Sequence, residues 1–225
     1  WTNHKVVLVE KTGQLGGFSR KMYKQFPKSD PFDTLQDPEY ASLIQQVESD
    51  KNIEVIIEAT MENIAGQPGL YTASIKKESG EILERKIGAI ILAAGFRPYE
   101  AEKLGHLGYG VSPNVITNVQ MEEIASKNNG KILRPSDGKA ARSVVFIQCA
   151  GSRDPNHLPY CSSVCCMTSL KQAEYVRMSD PNATATIIYK DMRTPGQYEH
   201  YYKKAQSDEG IFLTKGEIVS VGSGP

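Results

Sequence analysis

The 225-residue chain is 40% hydrophobic and 23% charged, and its 26 basic and 26 acidic side chains cancel to a net charge of zero. That composition fits a soluble globular protein of one or two domains, and the balance gives no electrostatic case for nucleic acid or an anionic membrane surface. No apolar run approaches the ~18 residues of a membrane-spanning helix; the longest, Ile87 to Ala94, is strand-sized, and no secretory signal is visible.

The chain opens without Met, Trp1-Thr-Asn-His-Lys5 leading straight into apolar Val6 to Val9, and it closes on Val219 to Pro225 where a strand should turn. Both ends are expected to be cuts from a longer polypeptide. Lys5 to Glu10 reads as a strand and Thr12 to Gly17 as a glycine-containing loop. A helix is expected from Asp37 or Pro38 to Ser49, with Tyr40, Leu43, Ile44 and Val47 at helical spacing. A β-rich block follows: Ile53 to Ile57, alternating Tyr71 to Lys77, a turn at Glu78 to Glu81, Ile82 to Lys86, and a buried run Ile87 to Leu92. Asn118 is a candidate N-cap for a short helix from Val119 to Ala125. Residues 127–142 read as a polar linker between domains. Strand Ser143 to Gln148, helix Ser162 to Met178 and strand Thr184 to Tyr189 then make a βαβ unit, completed by a helix from Gln197 to Ser207 and a strand from Ile211 to Thr214.

Two segments carry a first candidate site. A dinucleotide-binding strand ends in an acid that accepts hydrogen bonds from ribose hydroxyls, about 20 residues after G-x-G-x-x-G. Glu10 stands at such a strand end, and the glycine motif would lie before Trp1. Val9-Glu10-Lys11, followed after four residues by Gly16-Gly17, resembles the continuation seen in two-dinucleotide-binding-domain flavoproteins. Ile90-Ile-Leu-Ala-Ala-Gly-Phe-Arg-Pro98 resembles their second flavin signature, with Ala94 where that signature usually has Thr. Small residues let backbone approach a cofactor closely, so the resemblance implies FAD against Glu10, Lys11, Gly16, Gly17, Ala93, Ala94 and Gly95. Taken alone, Glu10 also fits the plain end of a surface strand. A chain without the first glycine motif is expected to hold flavin weakly or not at all, and the intact polypeptide to hold it fully.

All four cysteines, Cys149, Cys161, Cys165 and Cys166, fall within 18 residues. Neighbours such as Cys165 and Cys166 are poor disulfide partners, so the density reads as metal or redox chemistry. Strand Val144 to Ile147 runs into Gln148-Cys-Ala-Gly-Ser-Arg-Asp154 where a nucleotide-binding turn would otherwise stand. With a helix starting near Cys161, Cys161 and Cys165 would share a face and Cys166 would sit beside them at a helix N-terminus that favours thiolates. Four thiolates suit a [4Fe–4S] cluster. Structural zinc, a Cys161–Cys165 redox dithiol and buried free thiols are the alternatives.

Phe146 to Asp154, Tyr160-Cys-Ser-Ser-Val-Cys-Cys-Met167 with Leu170 to Ala173, and Asp191-Met-Arg-Thr-Pro-Gly196 resemble the A subunit of heterodisulfide reductase and its relatives. That resemblance implies that the four cysteines ligate a [4Fe–4S] cluster near FAD. The run Arg20-Lys-Met-Tyr-Lys-Gln-Phe26 continues through Phe32 toward Tyr40 without extra cysteines or an inserted ferredoxin module. This compact form resembles the A subunit of the quinone-interacting membrane-bound oxidoreductase complexes of sulfate reducers.

The expected architecture is therefore a fragment of an α/β, thioredoxin-reductase-like flavoprotein with an inserted β-meander. Residues 1–126 would form the FAD-binding domain, lacking its first strand and glycine motif, and 143–225 a partial second Rossmann-like domain carrying the cysteines. The expected role is electron transfer between a quinone-linked membrane complex and adenylylsulfate reductase, in the cytoplasm and at the membrane only through partner subunits. The rivals are an NAD(P)H-dependent thiol–disulfide oxidoreductase, a zinc-stabilised assembly protein and a flavin-based bifurcating subunit. Arg153, Lys171 and Arg193 are candidates to tune a cofactor or simply to be solvated. His157 lies between ligand candidates on a loop, and Trp1 and the tyrosines read as core or partner-surface residues.

Overall fold

A computed structural model describes residues 4–222; Trp1 and Ser223 to Pro225, on which the reading of the chain ends partly rests, lie outside the described residues. The fold is mixed α/β, as expected, and packs as two units. The first comprises the chain up to Arg20 together with Pro38–Arg97, and the second Lys21–Asp37 together with everything from Pro98 onward.

In the first unit β1 (Val6–Val9) pairs in parallel with β2 (Ile53–Ile56), joined through α1 (Tyr40–Ser49). An antiparallel meander follows, β3 (Ala59–Gln67), β4 (Leu70–Lys77) and β5 (Ile82–Ile87). β3 was not foreseen, yet its hairpin is built on Pro68-Gly69, and Gly69 has φ 89°, the conformation that a Pro-Gly turn assigns to its glycine. The expected turn between β4 and β5 has Gly80 at φ 90°. The core is small: Ile56, Ala59 and Ile75 are buried, with Val7, Val9 and Leu83 packed on them. Arg85 Nε and Nη2 form a fork to the two Glu54 carboxylate oxygens at 2.9 and 2.6 Å, tying β5 to β2.

The expected buried run ends at Ile87. Beyond it residues 88–100 form no regular element, and Ile91 and Leu92 are 90% and 89% exposed. A strand apolar on both faces is stable only between other strands, and no described strand pairs with this one.

The second unit has three parallel strands, β6 (Ser143–Ile147), β7 (Thr184–Tyr189) and β8 (Ile211–Lys215), with β7 central. Helix α3 (Cys165–Ser179) crosses from β6 to β7 and α4 (Glu199–Ser207) from β7 to β8, which bears out the βαβ reading. Helix α2 (Asn118–Lys127) packs on α3. This division by packing does not coincide with the polar stretch 127–142. Leu170, Ala173, Tyr175 and Val176 of α3 are fully buried beside Ala185 and Ile187 of β7. At about 1.5–3 kcal/mol for each large apolar side chain removed from water, this interface is the stabilising centre of the unit. The N-cap of α2 is Thr117 rather than Asn118: its hydroxyl accepts from Gln120 N at 3.3 Å while Gln120 Oε1 accepts from Thr117 N at 2.8 Å. No helix among the described residues is long and apolar enough to cross a membrane.

Candidate functional site

At the end of β6 the chain must turn sharply, and it does so through left-handed backbone at Cys149 (φ 58°), Gly151 (φ 74°) and Arg153 (φ 56°). Ser152, buried, organises this turn. Its hydroxyl donates to Tyr160 O at 2.9 Å, meets Ser162 Oγ at 3.0 Å and accepts from Ser162 N at 3.2 Å. Backbone bonds Arg153 N to Tyr160 O and Leu158 N to Gly151 O close the loop. Buried Gln148 then links strand to helix, Nε2 donating to Cys165 O at 3.3 Å.

Helix α3 begins at Cys165, so Cys161 does not share a helical face with it. Ser163 sits at φ 60°, which breaks the helical run before it can reach Cys161. Cys161 is held instead in the loop, its sulfur accepting from Ser163 N at 3.3 Å. Cys165 and Cys166 occupy the first turn of a 15-residue helix, where the dipole favours thiolate.

Cys166, Cys149 and Cys161 each act electrostatically on Cys165. Cys165 is pushed well above the ordinary thiol range by its hydrogen bond to Cys166, then by burial and by charge on Cys166, Cys149 and Cys161. Cys166 is pulled down to about 6, first by that hydrogen bond and then, against burial, by the Arg193 backbone N–H and the positive charges of Arg193 and Arg153. Protonated, Cys166 Sγ donates to Asp191 O at 3.6 Å. The Asp191 carboxylate binds Arg153 Nη2 at 2.8 Å, a pairing that holds this carboxyl below its usual value. Among the described residues no three His, Cys, Asp or Glu side chains are grouped to hold a metal ion.

Tyr99, which the sequence did not single out, shapes the surroundings together with His157. Tyr99 OH meets His157 Nδ1 at 2.7 Å, and its ring crosses the imidazole edge-on at 5.7 Å. A Cβ on Gly151 would stand 2.6 Å from Tyr99 Cδ1, so this glycine is required by packing as well as by φ. Lys171, in contrast, is a structural charge: it is buried, with Nζ 3.1 Å from Glu122 and donating to Lys24 O at 2.9 Å.

The flavin-signature residues lie in the other unit. Glu10 closes β1, and its Oε1 accepts from both the backbone N and the hydroxyl of Thr12 at 2.8 Å. Lys11 is exposed. Gly16 (φ 104°) leaves room for Arg20 and Ile44, which a Cβ would meet at 2.9 and 3.1 Å. Gly17 (φ 47°) and Gly95 (φ 68°) have open space around them, and Ala93 and Ala94 are exposed. The two signatures are brought together by a contact the sequence reading did not identify: Phe18 and Phe96 stack at 4.9 Å with planes 10° apart.

No family model matches the chain. It is 45% identical over 148 residues to the A subunit of the H(2)/formate:CoB-CoM heterodisulfide,ferredoxin reductase of Methanococcus maripaludis, covering 64% of this chain and 22% of that protein. It is 41% identical over 150 residues to the second iron-sulfur A subunit of CoB–CoM heterodisulfide reductase from Methanopyrus kandleri (64% and 23%). To the iron-sulfur A subunit of the same reductase from Methanocaldococcus jannaschii it is 40% identical over 150 residues (64% and 23%). The chain thus spans less than a quarter of the length of these relatives. Among solved structures, a bacillithiol disulfide reductase from Bacillus cereus overlays with a TM-score of 0.42 at 14% identity, covering 93% of this chain and 60% of that one. An L-proline dehydrogenase from P. horikoshii gives 0.39 at 13% identity, covering 94% and 37%; both overlays are too loose to carry a fold assignment. Over about 64% of its length the chain is homologous to a segment of the heterodisulfide reductase A subunit.

Proposed function

We infer that the chain is the electron-transfer part of an oxidoreductase, binding FAD in its first unit and a [4Fe–4S] cluster at Cys149, Cys161, Cys165 and Cys166. The observation that carries this reading is the convergence of four thiols, from a strand end, a loop and a helix N-terminus, on Cys165. Four thiolates suit a [4Fe–4S] cluster, and their spacing lacks the paired C-x(2–4)-C knuckles usual for structural zinc. The names of the Methanopyrus and Methanocaldococcus relatives, which call them iron-sulfur subunits, agree with it.

When bound, FAD would supply two-electron chemistry and the cluster one-electron chemistry. The protein's own residues do the holding. Cys165 and Cys166, hydrogen-bonded to each other in the first helical turn with Arg193 and Arg153 nearby, would bind as thiolates. Ser152 keeps the loop closed and Ser163 N–H orients the Cys161 sulfur. For FAD, Glu10, Lys11, Gly16, Gly17, Ala93, Ala94 and Gly95 are the proposed contacts, supported by the Phe18–Phe96 stack that joins the two signatures. The division into residues 1–126, 127–142 and 143–225 is retained as a division of cofactor roles.

The narrower assignment rests on the uninterrupted run Gly17 to Tyr40, which lacks extra cysteines. It favours a quinone-linked complex that exchanges electrons with adenylylsulfate reductase in sulfate respiration, attached to the membrane through other subunits, over a bifurcating heterodisulfide reductase. The test of the cofactor reading is Cys165→Ala in the anaerobically purified protein. Iron and its visible absorption are lost while any flavin carried by the unaltered protein is unchanged; retention of full iron would overturn the ligand set.

A further inference from the structure

Arg153 combines four features. Its backbone is left-handed at φ 56°, so the residue is held in a strained position in which Gly or Asn would be the ordinary choice. Its Nη2 is anchored on Asp191 at 2.8 Å, and the carbonyl of the same Asp191 accepts from Cys166 Sγ. The turn carrying it is closed onto Cys149, Ser152 N donating to Cys149 O at 3.1 Å, which holds Arg153 and Cys149 in one turn. Its Nη1 is buried and has no hydrogen-bond partner. A buried donor left unpaired forfeits its hydration without compensation, and a charged one forfeits more, unless something accepts from it.

We propose that Arg153 Nη1 donates to the iron–sulfur group held at Cys149, making Arg153 the residue that sets the group's reduction potential. This rests on the cluster reading above. Four thiolates around iron and sulfide leave net negative charge, and adding one electron increases it. A fixed guanidinium in a partly desolvated site stabilises the reduced form more than the oxidised one. No bond forms or breaks: one electron enters from a mediator and leaves by the same route. Asp191 aims the guanidinium while leaving Nη1 free, and Arg suits this divided task better than Lys because its donors are fixed in a planar fork.

The test is an anaerobic redox titration followed by electron paramagnetic resonance, on the wild-type holoprotein and on R153K and R153M. Iron, acid-labile sulfide and thermal unfolding are measured on each. R153M is expected to keep its iron and fold and to be reduced about tenfold less readily, a fall of about 59 mV for a one-electron couple, with R153K shifted less. Loss of iron from folded R153M but not from R153K also supports the proposal, since the charge is then needed to hold the group. An unchanged or higher midpoint in iron-loaded R153M overturns it. So does equal loss of iron or fold in both variants, which would make Arg153 a loop-closing residue. A wild-type protein without iron overturns the cluster reading itself, an outcome distinct from an iron-loaded R153M with the wild-type midpoint.

Discussion

Gly151 concentrates the demands that the cysteine loop places on single positions. Its backbone is left-handed and its missing Cβ is replaced by the Tyr99 ring, so alanine there is opposed twice. Gly151→Ala is expected to destabilise the second unit by about 1–3 kcal/mol from backbone strain alone, with a further cost for displacing Tyr99. Urea unfolding followed by circular dichroism checks this, and a change under about 0.5 kcal/mol, the usual range of neutral surface substitutions, would show that the loop relaxes freely. Tyr99→Phe removes only the bond to His157 Nδ1 and should cost about 0.5–1.5 kcal/mol by the same measurement. At this scale the cysteine set was legible because four sulfurs in 18 residues is a local pattern. Tyr99 and Ser152 were not, because their roles arise from partners up to 58 residues away or from turns that no propensity dictates.

At the scale of elements, α3 does two things along its length. Its first turn presents Cys165 and Cys166, and its next two turns bury Lys171, Gln172 and Tyr175 in a polar network. Glu122 of α2 accepts from Gln172 Nε2, Tyr175 OH and Tyr23 N, while Lys171 Nζ donates to Lys24 O and Lys24 N donates to Tyr175 OH. This network fastens segment 21–37 to the second unit, assisted by the Phe26 ring against Tyr198 and Tyr201 at 5.3 and 5.2 Å. Lys171→Met would strand the buried Glu122 carboxylate, and the loss of one partner of such a pair is expected to cost about 3–5 kcal/mol. Lys171→Met with Glu122→Leu should recover much of it, as thermal unfolding of the three proteins would reveal; equal loss in single and double variants would contradict the pairing.

The same network predicts weakness in alkali. Tyr175 and Tyr201 are held far above the ordinary tyrosine value, first by burial and then by the carboxylates Glu122 and Glu174. An unfolded tyrosine ionises near pH ~10, so above that pH the unfolded chain has lost protons that the folded chain keeps, and stability falls as pH rises. Lys171, lowered mainly by burial, works in the opposite direction over the same range, but one lysine faces two tyrosines. Stability measured by urea unfolding should therefore drop between about pH 9 and pH 11, at up to about 1.4 kcal/mol per pH unit for each tyrosine. A flat profile would contradict the burial of these hydroxyls.

For the molecule as a whole, the parallel three-stranded unit and the meander were readable because apolar periodicity and turn residues are written locally. The excursion of residues 21–37 and the start of α3 were not. The first depends on contacts such as Lys24 with Tyr175, 151 positions apart, and the second on the left-handed Ser163 rather than on helix propensity. Strand β3 was overlooked because its polar, outward-facing Thr60 to Gln67 carries little apolar signal and takes its stability from pairing with β4. Ile91 and Leu92 show the converse: an apolar run reads as strand, but without flanking strands these side chains stay exposed. The central claim is that one chain holds flavin and a thiolate-bound iron–sulfur cluster. The most direct measurement is the stoichiometry of FAD, iron, sulfide and zinc in the anaerobically purified protein. The account predicts about four irons and four sulfides per chain, FAD at no more than weak occupancy, and no zinc; stoichiometric zinc, or four freely reactive thiols with no iron, would contradict it.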